Sequence, residues 1–282
     1  MAHYRCLIDV DDLRSQLEEP GWRVVDCRFN LMRPQEGLRE YRGGHIPGAQ
    51  YANLDKDLAA PIGESSGRHP LPSADTFAKT LGDWGIDNGS QVVVYDQASG
   101  AIAARLWWML RWVGHERVAL VDGGYAAWQA AGYPVSDKRE AVRRAQFEPA
   151  PDSGMVISTE ELEALIDSGR APPLVDAREG ARFAGTREPI DSVAGHIPGA
   201  VNYPFAESLN PDGSFKRRDE LKAGWSRVLG DQQAWISMCG SGVTACHLAF
   251  SARLAGFPAP RLYAGSWSEW IRDPARAVAE TR

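Results

Sequence analysis

The sequence contains no apolar run that approaches the roughly 20 residues needed to cross a bilayer as a helix. Its first residues, 1–6, lead directly into three aspartates and lack the apolar core of a signal peptide, so we expect no secretory leader. It also lacks a basic tail or stripe, and its formal net charge is −6. These absences argue against a membrane protein and against a nucleic-acid-binding protein.

Cysteine is scarce. The four cysteines are Cys6, Cys27, Cys239 and Cys246, and their spacing matches neither a zinc site nor a disulfide framework. We therefore expect a reducing, cytoplasmic environment and no bound metal. Cys246 falls inside a helical pattern, which favours a role as a core residue.

The second half of the chain repeats the first. Segment 174–178 repeats the apolar strand pattern of segment 24–28, and each is followed by a His-Ile-Pro-Gly-Ala loop. The two loop histidines, His45 and His196, are displaced by 151 residues (196 minus 45). Independent matches of this kind indicate a duplicated domain.

Short buried strands alternate with helical patterns in each half. This order predicts an α/β fold of two tandem domains, each a mostly parallel sheet with helices on both faces. We expect a first domain at residues 1–136, a charged, proline-bearing linker at 137–153 and a second domain at 154–282.

One stretch carries the pattern of a reactive site. An apolar run ends at Cys239, the loop Gly240-Ser241-Gly242 follows, and a helical pattern begins near Val243. A strand, a tight glycine loop and a helix N-terminus in this order build an anion site from backbone N–H groups. Such a cradle stabilises a thiolate, so Cys239 is predicted to be a nucleophile.

The two copies differ at this loop. At a displacement of 142 (241 minus 99), which aligns Ser241-Gly242 with Ser99-Gly100, Cys239 falls on Gln97. The first copy therefore keeps the scaffold without a thiol there. We expect the first domain to be catalytically inactive and the second to carry the chemistry.

Together, these features make the chain similar to the tandem-domain rhodanese family over nearly its whole length. The motifs are the two His-Ile-Pro-Gly-Ala loops, the loop 239–244, Arg182-Phe183 and the segment 265–270. The resemblance implies two rhodanese domains, of which only the C-terminal one is active. It further implies transfer of a sulfane sulfur to the cysteine as a persulfide, then to a nucleophilic acceptor, without a metal or organic cofactor.

The residues after the cysteine distinguish two branches of that family. Thiosulfate sulfurtransferases typically have Arg and Lys there, whereas Gly240 and Ser241 resemble the 3-mercaptopyruvate branch. Less local cationic charge suits a monoanionic 2-oxo acid. In that branch the loop serine works with a histidine and an acid of the first domain, which match His45 and Glu36. The acceptors implied are thioredoxin, a small thiol or, in an assay, cyanide.

The resemblance also implies the residues that bind the sulfur donor. Its first carboxylate-binding arginine matches Arg182, and Asp191 stands where the branch has a second arginine, so Arg187 nearby is a candidate substitute. The loop N–H groups of Gly240, Gly242, Val243 and Thr244 are expected to hold the negative charge of the persulfide.

The cysteine loop admits three other interpretations. A cysteine phosphatase needs an arginine six positions after the cysteine, where this chain has Ala245, so that class is disfavoured. A non-catalytic rhodanese-like binding module is disfavoured by the retained Cys239. Thiosulfate remains the alternative sulfur donor, and the rates with the two compounds discriminate between them.

Overall fold

The computed structural model describes residues 4–139 and 141–281. Its strands are β1 (Leu7–Ile8), β2 (Trp22–Asp26), β3 (Gln50–Tyr51), β4 (Gln91–Tyr95), β5 (Val118–Val121), β6 (Leu174–Asp176), β7 (Val201–Asn202), β8 (Ile236–Met238) and β9 (Arg261–Leu262). Its helices are α1 (Val10–Gln16), α2 (Glu36–Gly43), α3 (Ala74–Asp83), α4 (Ala103–Trp112), α5 (Gly124–Ala130), α6 (Thr159–Asp167), α7 (Gly180–Ala184), α8 (Arg218–Leu229), α9 (Thr244–Ala255) and α10 (Ser266–Trp270).

The chain divides into two units, and each unit takes a short segment from the other half of the sequence. The first unit comprises Met1–Ala60, Pro72–Asp152 and Leu209–Phe215, and the second comprises Pro61–Leu71, Ser153–Ser208 and Lys216–Arg282. The two exchanged segments, 61–71 and 209–215, were not anticipated from the sequence.

Part of the segment predicted to be a linker packs onto the first unit. Within the first unit, the amide of Ala145 donates to the carbonyl of Gly82, and the amide of Ala150 donates to the carbonyl of Val113, both at 3.0 Å. Phe147 is buried beside His115. Residues 145–150 therefore pack onto the first unit. Residue 140 lies outside the described part of the chain.

Each unit is built on a fully parallel sheet. The strand order is β1-β5-β4-β2-β3 in the first unit and β7-β6-β8-β9 in the second. Every residue of β4 and β5 is buried, because helices cover both faces of the sheet. The predicted α/β architecture, with a parallel sheet in each half of the chain, is confirmed.

An arginine and an aspartate stabilise the same corner of both units. Arg28 donates to the carboxylate of Asp26 and to the carbonyl of Gly44, while Arg178 pairs with Asp176 in the same way. Both pairs are buried and multiply hydrogen-bonded, the condition under which a buried ion pair is tolerated. These pairs fix the equivalence of the two units independently of the sequence alignment.

Strand register places the counterpart of Cys239 at Asp96. Asp26 pairs with Tyr95 in the first sheet, and its equivalent Asp176 pairs with Met238 in the second. The next residues, Asp96 and Cys239, therefore correspond at a displacement of 143 (239 minus 96). The alignment of Cys239 with Gln97 is wrong by one residue, because the stretch from the strand end to the Ser-Gly pair is one residue longer after β4 (96–99) than after β8 (239–241).

Asp96 fills an amide nest in the first unit. Its carboxylate accepts hydrogen bonds from the backbone amides of Ala98, Gly100, Ile102 and Ala103 at 2.9–3.2 Å. Burial raises the pKa of Asp96, and the four amides act against that rise. The loop between strand and helix is thus an anion site that this half of the chain occupies with its own side chain.

We predict that Asp96→Asn destabilises the first unit, because the amide NH2 faces N–H groups that need an acceptor. The expected loss is about 2 kcal/mol in the free energy of unfolding, measured by urea denaturation. Asp83→Asn, which removes only a surface ion pair with Arg144, is the control and costs less than about 1 kcal/mol. Equal stability of the two variants contradicts the role given to the carboxylate.

Candidate active site

Cys239 is the first residue after β8, and its side chain is 2% exposed. Its amide donates to Oγ of Ser266 at 3.1 Å, and its carbonyl accepts from the amide of Trp267 at 3.0 Å. Ser266 has φ +54, the only positive value for a non-glycine residue in the described part of the chain. The first residues of α10 thus fix the backbone of Cys239. The left-handed conformation of Ser266 indicates backbone strain at the residue that makes this contact.

The loop after Cys239 presents backbone N–H groups without acceptors. Among the described residues, no oxygen accepts a hydrogen bond from the amides of Gly240, Ser241 or Thr244, and α9 has no side-chain N-cap. The equivalent loop of the first unit directs its amides to Asp96. The second unit therefore offers the same anion-binding loop, with a sulfur atom in place of the carboxylate.

Ser241 is hydrogen-bonded to a histidine that the sequence reasoning missed. Nδ1 of His69 lies 2.8 Å from Oγ of Ser241, and both side chains are buried. His69 reaches the second unit within the exchanged segment 61–71. The sequence feature that could have indicated His69 is the Arg68-His69 pair, which follows the glycine- and serine-rich run 63–67. The second half of the chain has no matching run.

His45, the histidine expected beside Ser241, has a different environment. Its Nδ1 donates to the carbonyl of Tyr41 at 2.7 Å, and its ring stacks on that tyrosine at 4.0 Å. His196 repeats both contacts in the second unit, with Phe183. Because the same geometry recurs in both units, it stabilises the His-Ile-Pro-Gly-Ala loop, and the pairing of His45 with Ser241 is not observed.

Glu36, the expected acid of the relay, begins α2 in the first unit. Its carboxylate accepts from Asn30 at 2.6 Å and forms ion pairs with Arg33 and Arg39. These partners are local to the start of the helix, where negative charge is favourable. The contacts of Glu36 therefore account for a stabilising role in the first unit.

Two arginines lie against the cysteine loop. A Cβ built on Gly240 would lie 3.0 Å from Nη2 of Arg68 and 3.5 Å from Nη1 and Nη2 of Arg182. Arg182 was expected there, but Arg68 was not. Arg187, the suggested second arginine, is exposed and has no ion pair with a described residue.

Two buried carboxylates hold these arginines. Arg182 binds Glu188 through Nε at 3.0 Å and Asp191 through Nη2 at 2.9 Å, while Arg68 binds the other oxygen of Asp191. Burial raises the pKa of Asp191, partly offset by Arg68 and Arg182. Burial also acts to raise the pKa of Glu188, but hydrogen bonds from Arg182 and from the amides of Asp191 and Ile190 hold it below its usual value.

The sequence profile of the rhodanese-like domain matches residues 9–131 and 158–273. The chain belongs to the rhodanese family. The predicted tandem arrangement of two rhodanese domains is thereby confirmed.

Relatives over the full length come from both branches of the family. The chain is 47% identical to a probable 3-mercaptopyruvate sulfurtransferase of Pseudomonas aeruginosa, over 97% of either chain. It is 35% identical to the thiosulfate sulfurtransferase of Rattus norvegicus, over 99% of this chain and 95% of the relative. A solved 3-mercaptopyruvate sulfurtransferase from Leishmania major matches with a TM-score of 0.84 at 29% identity, covering 96% of this chain and 76% of that one.

The remaining cysteines of the chain lie outside the loop. Cys27 is fully buried, and burial raises its pKa well above the usual value, which keeps the thiol protonated. Cys246 lies in α9, with its sulfur 3.3 Å from the carbonyl of Gly242. Within residues 4–139 and 141–281, no cluster of three or more His, Cys, Asp or Glu side chains is arranged to hold a metal, and no helix is long and apolar enough to span a membrane.

Gly242 is required by the shape of the rhodanese loop. Its φ is +76, and a Cβ there would lie 2.5 Å from the carbonyl oxygen of Ala264. Both a left-handed backbone and a close approach therefore exclude a side chain. The loop can present its amides only while this contact is kept.

We predict that Gly242→Ala lowers the free energy of unfolding by at least about 3 kcal/mol, because it adds a backbone clash to the conformational cost. The matched control is Gly169→Ala, with φ +67 and no atom within 4 Å of the added Cβ. That control is expected to cost about 1 kcal/mol. Urea denaturation of both variants measures the difference, and equal losses contradict the clash.

Proposed function

We propose that this protein transfers a sulfane sulfur from 3-mercaptopyruvate to a thiol acceptor through a persulfide on Cys239. The observation that carries the proposal is the position of Cys239, at the site where the first unit holds a carboxylate within an amide nest. A site built for an anion favours both a thiolate and a persulfide. Sulfur transfer as the reaction class agrees with the relatives at 47% and 35% identity.

In the loading step, the Cys239 thiolate attacks the sulfur of 3-mercaptopyruvate. An S–S bond forms as the C–S bond breaks, and the bonding electrons leave with carbon as the enolate of pyruvate. The proton of the donor thiol remains on the outer sulfur of the persulfide, and the enolate takes a second proton to give pyruvate. The loop amides stabilise the Cys239 thiolate before the attack, and they stabilise the persulfide anion when the outer sulfur loses its proton.

Ser241 and His69 supply the proton to the enolate in this proposal. Their hydrogen bond of 2.8 Å couples the hydroxyl to an imidazole, a group that exchanges protons near neutral pH. This assignment replaces the relay proposed from sequence for His45 and Glu36, which have other partners.

Arg182 binds the carboxylate of the sulfur donor. Glu188 and Asp191 fix its guanidinium on one side, while its outer edge lies beside Gly240. A guanidinium held in this way recognises a planar carboxylate.

A thiol removes the outer sulfur in the second half of the cycle. The acceptor thiolate attacks that sulfur, the S–S bond breaks, and Cys239 returns to the thiolate while the acceptor leaves as a persulfide. We propose thioredoxin or a small thiol as the acceptor, in a reducing cytoplasm. Cyanide serves in an assay and leaves as thiocyanate.

Thiosulfate sulfurtransfer is the second candidate, since a thiosulfate sulfurtransferase is 35% identical over nearly the whole chain. Against it, the two residues after Cys239 carry no charge, and the nearby arginines are paired with carboxylates. A dianion gains less in such surroundings than in an uncompensated cationic site.

We predict that 3-mercaptopyruvate loads one sulfur atom onto Cys239, seen by intact mass, and that Cys239→Ser loads none while it unfolds at the same temperature. With cyanide as the acceptor, kcat/KM for 3-mercaptopyruvate is expected to exceed that for thiosulfate at least about tenfold. A preference for thiosulfate overturns the choice of sulfur donor. Loading of the Cys239→Ser variant overturns the nucleophile.

We predict that His69→Gln and Ser241→Ala each lower kcat with 3-mercaptopyruvate about 10–100-fold, the usual contribution of a positioned proton donor. The double variant loses no more than the worse single variant, because the two side chains act as one unit. Steady-state rates test this as a double-mutant cycle. Additive losses, or an equal loss of kcat in a folded His45→Gln variant, contradict the assignment to His69.

A further inference from the structure

We infer that Arg68 and Arg182 together form a guanidinium fork for the anionic end of the sulfur donor, and that Asp191 positions both arginines and tunes selectivity for the charge of that donor. The inference rests on the proposed function. It assigns a binding role to Arg68 and a positioning role to Asp191.

Asp191 bridges the two arginines. One carboxylate oxygen accepts from Nη1 of Arg68, and the other accepts from Nη2 of Arg182 at 2.9 Å. The Asp191 side chain is 4% exposed, so its carboxylate is shielded from water, whereas the Arg68 side chain is 26% exposed. A shared carboxylate lets two like charges lie side by side at low cost.

The backbone around Arg68 is fixed as firmly as its side chain. The amide of Arg68 donates to Oγ of Ser268, and the amide of Gly67 donates to Glu269, both at 3.0 Å. A Cβ on Gly67 would lie 2.6 Å from the carbonyl oxygen of Gly265, so only glycine permits this approach. Arg68 is therefore held in place before any sulfur donor binds.

The fork keeps hydrogen-bond donors open toward the cysteine loop. Among the described residues, none accepts a hydrogen bond from Nη2 of Arg68 or from Nη1 of Arg182. The guanidinium nitrogens that do form hydrogen bonds donate to Asp191 or Glu188. Both open nitrogens lie beside Gly240, the residue next to Cys239. Two N–H groups on adjacent guanidinium planes match the two oxygens of a carboxylate.

The net charge of the cluster formed by the two arginines and their two carboxylate partners determines which anions the cluster prefers. Two arginines face two carboxylates, Glu188 and Asp191, so the cluster has no net charge when all four groups are ionised. A monoanionic carboxylate then binds mainly through directed hydrogen bonds, and a second negative charge on the sulfur donor gains little. Neutralising Asp191 adds one positive charge and favours a dianion.

The first experiment separates loading from unloading. Stopped-flow loading of Arg68→Gln by 3-mercaptopyruvate is expected to be about 10–100-fold slower in its second-order rate constant than loading of the wild type. Unloading of the preformed persulfide by dithiothreitol, which carries no carboxylate, is expected to change less than about threefold. A merely structural role for Arg68 slows both steps.

Arg170→Gln is the matched control, since Arg170 is exposed and precedes the amino end of β6, whereas Cys239 follows the carboxyl end of the parallel strand β8. It is expected to load as the wild type does. If Arg68→Gln also loads as the wild type does, the fork is refuted while the proposed function stands. If the wild type gains no sulfur from either compound, the proposed function fails first.

The second experiment measures selectivity. In Asp191→Asn, the ratio of kcat/KM for thiosulfate to kcat/KM for 3-mercaptopyruvate is expected to rise about tenfold, even where both values fall through loss of the bridge. Retained thermal midpoint and persulfide unloading show that the variant is folded. An unchanged ratio, or a fall, overturns the role given to Asp191.

Discussion

The structure depends on how each sheet satisfies the backbone amides at the carboxyl end of an inner strand. A tight loop that turns directly into a helix leaves several N–H groups pointing the same way, and they stabilise a negative charge. In the first unit Asp96 supplies that charge from within the chain. In the second unit Cys239 takes its place, and the amides remain available to a sulfur anion. The loop after β4 therefore has its amides bound within the chain, whereas the loop after β8 leaves amides that can bind an anion.

The duplication separates what stabilises the fold from what does chemistry. Both units keep a buried Asp–Arg pair at the end of β2 and of β6. In both units the histidine of the His-Ile-Pro-Gly-Ala loop stacks on an aromatic ring. Features present in both units are explained by folding, since only the second unit has a cysteine at the start of this loop. His69, Arg68 and Arg182 lie around the cysteine loop of the second unit, and the proposed roles in catalysis and donor binding rest on them.

Much of this was accessible from sequence, for identifiable reasons. Strands β4 and β6 are buried on both faces, so residues 92–95 and 174–175 appear as short apolar runs in the sequence. Helix α9 begins one residue after the predicted start. Cys239 was found because strand, glycine loop and helix are contiguous. His69 and Arg68 were not found, because segment 61–71 is placed by contacts with residues 240–269 that lie far away in the chain. The one-residue error at Asp96 arose because a rigid alignment cannot register a loop of different length.

The absence of charge immediately after Cys239 and the presence of Arg68 are two aspects of one steric constraint. Gly240 has no Cβ, and the volume that a side chain would take there borders the guanidinium groups of Arg68 and Arg182. A long cationic residue at position 240 would displace the fork, so cations from the loop and cations from segment 61–71 compete for the same space. Arg68 and Arg182 are held by the carboxylates of Asp191 and Glu188. Glycine at position 240 therefore leaves room for an anion site whose positive charge is balanced by carboxylates and whose N–H groups have fixed directions. Such a site suits a monoanionic carboxylate better than a dianion.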